Sequence, residues 1–566
     1  MRSYRPLFPV SLLLMFLLAA CRESTDLIPP PQEKIDETIL GALRYLDDMQ
    51  IRDRAGKNSC LNDTSEGEGC INDTQTLPGV SPLPIPNTPT VQNREGEWAS
   101  FIYHLPGSVG KLGLSRPRTQ DSALIVSAFI TYPLFLFSKE DEENRDLPID
   151  TMLDLSIRNL KGFRRGKGYN FWPQREDLPI PQIVSPYNID MPAVDRMLQQ
   201  YLGNPDDPLY KTLFGEKIIA QLHGWIVRCM QSPRNREGVY ALFNIPNDAD
   251  DLSMATAIFG LYAKRNDLEN TFVETDILTN VSLFLDTNRT KEDGRDSFKG
   301  KNSGAFLTWQ KDENEPIFDH PESGVIPLAV NNVDAVVNAN VLFSLALNNL
   351  TQTKGFRESV TLLANLIESG AWPKAALYYP QRMMFPYAVT RAWRDGGIHS
   401  PGMRIAMRRL MTDLLQEQKL DDPTKPHYGR FDGGIDRSRD LPTALGCIAL
   451  LNMGEAIASE ANLLKRYRQG IDACIASLVR FREPVARHDR QTSDTTDASL
   501  PIYRWQEGIF FSPSVSELVQ WHSRPLTAAM VVEALAKYRL NYHKNESTIL
   551  QTQKLSIHML VKEHKG

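Results

Sequence analysis

The sequence predicts an all-α protein, an α/α toroid of six or seven helical hairpins with an inner and an outer ring of helices. Three observations predict it. A Gly- or Tyr-aromatic marker recurs about every 60–75 residues, the kind of period that signals a repeat array. The markers are Gly96-Glu97-Trp98, Gly168-Tyr169-Asn170-Phe171-Trp172-Pro173, Gly238-Val239-Tyr240, Gly304-Ala305-Phe306, Gly370-Ala371-Trp372-Pro373, Tyr428-Gly429-Arg430-Phe431 and Tyr503-Arg504-Trp505. After each marker a polar stretch leads into a helix opened by Asp, Ser or Pro, the residues that suit a helix N-terminus. These helices are apolar on most faces, which marks an inner layer. The helices between them carry charge on one face, which marks an outer layer.

Taken in order, the chain opens with Arg2 and Arg5, an apolar run from Leu7 to Ala20, and Leu18-Ala19-Ala20-Cys21. A positive start, a short apolar middle and small residues at the cut are the order of a secretory signal. The run is shorter than the roughly 20 residues a membrane span needs, and no later stretch reads as long enough to cross. Leu18 to Cys21 resembles the lipobox of bacterial lipoproteins. That resemblance implies that the signal peptide, 1–20, is removed and that Cys21 carries the lipid (palmitate) anchor. It also implies a membrane contact through that anchor and a bacterial cell-envelope address. Arg22, not Asp, follows the cysteine, which favours the outer membrane.

Residues 21–32, with Pro29-Pro30-Pro31, read as a lipidated tether. In 33–93, Ile35 to Met49 forms a first amphipathic helix and a polar, Pro-punctuated loop follows. Cys60 and Cys70 flank this loop and can pair in an oxidising compartment. Cys229, Cys447 and Cys474 read as small core residues. The toroid occupies 94–566. Its inner helices start at Gln120-Asp121-Ser122 (through Phe129), Asp250-Asp251 (to Ala263), Asn332-Val333-Asp334 (Ala335–Leu347), Phe385-Pro386 (through Trp393), Arg439-Asp440 (Thr443–Leu451) and Ser523-Arg524-Pro525 (Leu526–Leu535). A weaker seventh starts at Met191-Pro192. Thr353–Leu366, Gly402–Leu420 and Glu455–Arg482 read as outer helices, and the long connections gather beside the inner-helix N-termini.

A net charge of −6 argues against a nucleic-acid partner. No Cys/His spacing suits zinc and no Gly-rich phosphate loop follows a strand, so neither metal nor cofactor is expected. If the ring closes, the inner-helix starts share one cavity mouth. There Asp248, Asp250 and Asp251 crowd within four residues, so one carboxyl should keep its proton near neutral pH. Asp334 and Asp436 are the candidate opposing carboxylates, with Asn338 one turn inside. Trp172, Trp309, Trp372, Tyr379, Arg382, Arg437, Trp505, His522 and Arg524 are candidate ligand contacts; the tryptophans read equally as wedges between hairpins.

The repeated hairpins and Asp248-Ala249-Asp250-Asp251 resemble the terpenoid-cyclase and protein-prenyltransferase toroids. In class II cyclases the middle Asp of an Asp-x-Asp-Asp motif opening an inner helix protonates an alkene; by position that implies Asp250 as acid, tuned by Asp248 and Asp251. Leu252-Ser253 departs from the family's usual Thr-Ala continuation, and zinc ligands of the prenyltransferase kind have no counterpart. The expected function is therefore an envelope lipoprotein that binds or transforms a ligand at the acidic rim of a terpenoid-cyclase-like toroid. Two alternatives stand beside it: a glycoside hydrolase or lyase of α/α-toroid type using paired carboxylates, and a non-enzymatic binding scaffold. The ligand is an isoprenoid, a glycan or a protein accordingly.

Overall fold

The computed structural model describes residues 29–52, 95–103, 118–139, 148–175, 182–183, 188–190, 239–241, 245–289, 303–311, 331–485, 501–512 and 520–542. The signal, Cys21, the tether through 28, the loop bearing Cys60 and Cys70, Cys229 and the helix at Met191-Pro192 lie outside the described residues.

The described chain is mostly helical. Six apolar helices form its centre: α2 (Leu124–Leu134), α4 (Ala249–Arg265), α5 (Ala335–Leu347), α7 (Met384–Arg394), α9 (Asp440–Glu460) and α11 (Arg524–Tyr542). Each packs on the next in that order, and α11 packs back on α2, so the cycle closes. All residues of α2 are buried, and all but one of α5. An amphipathic surface helix could not sit there without burying its polar face unpaired. Helix α9 is long and apolar enough to cross a membrane by composition, contrary to expectation, but 83% of its apolar window is buried within the ring.

A second layer lies outside. It comprises α1 (Gln32–Met49), α3 (Ile149–Lys161), α6 (Phe356–Glu368), α8 (Pro401–Glu417) and α10 (Leu464–Arg480). Helix α1 packs on α11, α3 on α2 and α4, α6 on α5, α8 on α9 and α10 on α9. The outer segment expected over Glu455–Arg482 divides. Gly454 takes φ +75°, a left-handed conformation suited to glycine, and kinks the end of α9 before α10 begins at Leu464.

The recurring markers have a structural cause. At Gly96 (φ +95°) an added Cβ would come within 2.1 Å of the Leu155 carbonyl of α3, and at Gly429 (φ +83°) within 2.2 Å of the Ala473 carbonyl of α10. Glycine lets the strand leaving an outer helix pass flat against the next one. The following indole then ties off a helix end: Trp98 Nε1 donates to Leu46 O at 2.7 Å and Trp505 Nε1 to Leu478 O at 2.9 Å. Each ring also buries a large apolar area, worth roughly 2–3 kcal/mol.

The connections are knitted to the inner-helix starts in a repeating way. Leu124 N–H donates to Phe171 O, Ala249 N–H to Thr308 O and Ala335 N–H to Ala375 O. A small antiparallel sheet completes that end, in the order β3-β4-β1-β2, from β1 (Ser100–Tyr103), β2 (Arg118–Asp121), β3 (Ile509–Phe511) and β4 (Gln520–His522). Cys447 of α9 and Cys474 of α10 are buried core residues, and they form a disulfide that the sequence reading did not pair.

Candidate active site

The connections and inner-helix starts line a small, half-open cavity; about 350 Å³ of space lies within it when the open solvent at its mouth is counted. Its walls are Ile125 of α2, Val337 of α5, Ile245, Thr308 and five aromatic rings, Phe171, Trp309, Tyr378, Tyr379 and Phe511. Asp248, Asp250 and Asp251 supply its carboxyls.

The three acids divide their work by position on α4. Asp248 is the N-cap: its backbone is extended and its carboxylate accepts the Asp251 N–H at 2.7 Å. Asp250, one residue into the helix, reaches across to other elements. Its Oδ1 accepts the Asn340 amide of α5 at 2.6 Å, and its Oδ2 is bonded by the Tyr379 hydroxyl. Burial pushes the Asp250 carboxyl up to about 7, and the neighbouring Asp248 charge adds to it, against the pull of the Tyr379 and Asn340 hydrogen bonds. Burial also holds Asp251 well above the usual carboxylate range, helped by Asp248. An Asp that carries its proton near neutral pH inside an aromatic cavity is equipped to donate it.

The expected opposing carboxylates do not line the cavity. Asp334 caps α5 through Val336 and Val337 N–H, and its other oxygen accepts Leu377 and Tyr378 N–H. With four backbone donors it is a structural clamp that fixes the loop carrying Tyr378 and Tyr379. Asp436 lies outside the cavity lining and accepts from Gln381 Nε2 at 2.6 Å and from Ser438. Burial raises it to about 6, but its bonds organise a turn. Asn338 likewise serves the backbone, exchanging bonds with Phe306.

Of the expected ligand contacts, Trp309 and Tyr379 line the cavity. The others do not, for visible reasons. Trp172 and Trp521 both donate their indole N–H to Asp121, at 2.8 and 2.7 Å, pinning the start of α2. Trp372 donates to Asp413 of α8 and lies under Arg382, which is paired with Glu417. Trp505 is fully buried against α10. Arg437 is exposed. On the small sheet His522 packs edge-on to Tyr103, and Glu507 lies 4.0 Å from His522 and 3.9 Å from Arg524 at the start of α11.

Two residues at the site escaped sequence reasoning. Asn340 lies on the otherwise apolar α5 beside Asn338, and Arg391 is a charged residue buried within α7. The only signal was that polarity itself, and nothing in the sequence distinguishes Asn340 from Asn338 two positions earlier.

No family model and no curated protein matches the chain. Among solved structures it is similar to two forms of the type II terpene cyclase MstE from Scytonema. One is an alanine variant in complex with geranylgeranyl dihydroxybenzoate, at TM-score 0.43 and 11% identity, covering 89% of this chain and 97% of that one. The other is a phenylalanine variant in the apo form, at TM-score 0.42 and 11% identity, with the same coverage.

Proposed function

We propose that the protein is a lipid-anchored envelope protein with a terpenoid-cyclase-like toroid that protonates an unsaturated, isoprenoid-type ligand with Asp250. The observation that carries this reading is the setting of Asp250: a buried carboxyl pushed up to about 7, held by Tyr379 and Asn340, beside five aromatic rings. The Oδ2–H bond breaks as a C–H bond forms at one alkene carbon, leaving the Asp250 carboxylate and a carbocation. Aromatic faces stabilise such a cation. Closure or rearrangement, loss of a proton to water and return of a proton to Asp250 complete a net isomerisation. The glycosidase alternative is less favoured: two-carboxyl hydrolysis needs a second carboxyl at the substrate, and Asp334 and Asp436 accept structural hydrogen bonds and do not line the cavity. The Cys447–Cys474 disulfide favours an oxidising, extracytoplasmic address.

The test is incubation of the full-length lipoprotein with short polyprenyl alkenes in deuterium oxide, read by mass spectrometry. Deuterium should enter a carbon position with the native chain and not with Asp250→Asn. Equal incorporation by both, or a melting-point rise with envelope glycans and none with isoprenoids, overturns the proposal.

A further inference from the structure

The closed ring of helices has a cation at its centre. Arg391 of α7 is fully buried. Its guanidinium carbon stands 4.6 Å from the Phe343 ring centre, 5.0 Å from Tyr387, 5.2 Å from Phe129 and 5.3 Å from Tyr132. Those rings come from α2, α5 and α7. The guanidinium donates to the Tyr387 hydroxyl at 3.2 Å, to Met254 Sδ at 3.2 Å and to Asn340 Oδ1 at 2.5 Å. Beyond Tyr387 lie Glu533, which accepts its hydroxyl at 3.0 Å, then Lys537, 2.8 Å from both Glu533 and Asp395.

An apolar side chain would fill this aromatic box at lower cost than a buried charge. What Arg391 supplies beyond volume is direction. A guanidinium has only donors, so the side of Asn340 facing it must be the carbonyl oxygen. The Asn340 NH2 must then face Asp250, which it reaches at Oδ1. An oxygen that accepts a fixed N–H is the carbonyl oxygen of a neutral carboxyl, so the proton goes to Oδ2; Tyr379 donates to Oδ2 of the carboxylate, and its rotatable hydroxyl turns to accept when Oδ2 carries the proton.

We propose that Arg391 is a positioning residue for Asp250: by locking the Asn340 amide it holds the carboxyl proton on Oδ2, the oxygen bonded to the cavity residue Tyr379. This deepens the reading of Asp250 as proton donor and rests on it for its catalytic meaning, but its test needs no substrate. The charged and titratable groups around Asp250 are Asp248 and Asp251 on its own helix, Asp334 at the start of α5, Tyr379 from the connection before α7, and Arg391 through Asn340.

The experiment is infrared difference spectroscopy of the full-length protein against its Asp250→Asn variant across a pH series, which isolates the carboxylic C=O stretch of Asp250. The native band should titrate near pH 7. Arg391→Lys keeps a cation in the box but frees the Asn340 amide; the band should move and its midpoint rise by about one pH unit as a donor to the charged form is lost. In an Asn340→Leu background, Arg391→Lys should add nothing further. Tyr387→Phe removes the other arm of Arg391 and leaves Asn340 held, so the band should stay where it is. An unchanged band in Arg391→Lys, a full shift persisting in the Asn340→Leu background, or a shift in Tyr387→Phe would each overturn the proposal. Loss of alkene protonation activity alone would bear on the proposed function and not on this arrangement.

Discussion

Asp250→Asn should stabilise the protein at alkaline pH and leave it nearly unchanged at acid pH. The asparagine reproduces the protonated carboxyl: its carbonyl oxygen can accept from Asn340, and its NH2 can donate to Tyr379 once that rotatable hydroxyl turns from donor to acceptor. Burial first, and the Asp248 charge second, raise Asp250 from 3.8 to about 7 in the folded chain. A raised carboxyl favours folding while protonated, so that contribution is complete below pH 3.8 and is lost as pH climbs through 7. The span of about three pH units corresponds to about 4 kcal/mol, the ionisation penalty the native chain carries at pH 8.5. For a chain of 566 residues the unfolding entropy is about 1.2 kcal/mol/K, so the variant should melt roughly 3 °C higher at pH 8.5. At pH 4.5 the gain should shrink to below roughly 1 °C. Scanning calorimetry of both proteins at the two pH values measures this. A variant no more stable than the native chain at pH 8.5, or one with equal gains at both pH values, would refute the assignment of a high folded-state proton affinity to Asp250.

Other perturbations separate structure from chemistry. Replacing Cys447 and Cys474 together by Ala should cost about 3–4 kcal/mol, since the bridge closes a segment with a sequence separation of 27; chemical denaturation reads the loss, and mass spectrometry of alkylated native protein checks the bridge. Asp334→Ala orphans four backbone N–H groups and should cost at least about 3 kcal/mol in the same denaturation assay. Asp436→Asn should leave both the Asp250 infrared band and any alkene protonation at native levels; a loss of protonation tenfold or more would return Asp436 to the site.

The all-α fold was legible because its apolar and its amphipathic helices obey different burial rules. A sequence such as Ala335 to Phe343, apolar on every face, can only be interior, and Asp334 before it can only be a start. The candidate acid was legible for the same reason, since Asp248, Asp250 and Asp251 crowd a helix N-terminus. What could not be read was direction across space. Trp172, Trp372 and Trp505 look like ligand platforms in sequence, yet their indole N–H groups are taken by Asp121, Asp413 and Leu478. Asp334 has the right residue type in the right place, but its loop supplies backbone donors that sequence does not reveal. Asn340 and Arg391 matter through a contact between helices 51 positions apart.

The cyclic packing also sets an order on self-assembly. Helix α1 packs on α11, and β1 pairs with β4 with Phe101 opposite His522. The first and last described segments of the chain therefore share one seam. Five of the six central helices can come together as the chain emerges, but α2 keeps an open flank until α11 arrives. Contacts spanning 400 residues are slow to form because a long loop must close first. The cycle of helices behind the acid-bearing cavity is thus completed by the last described helix. A circularly permuted chain that joins these neighbouring ends and opens the ring between α6 and α7 should fold by a different route to the same cavity.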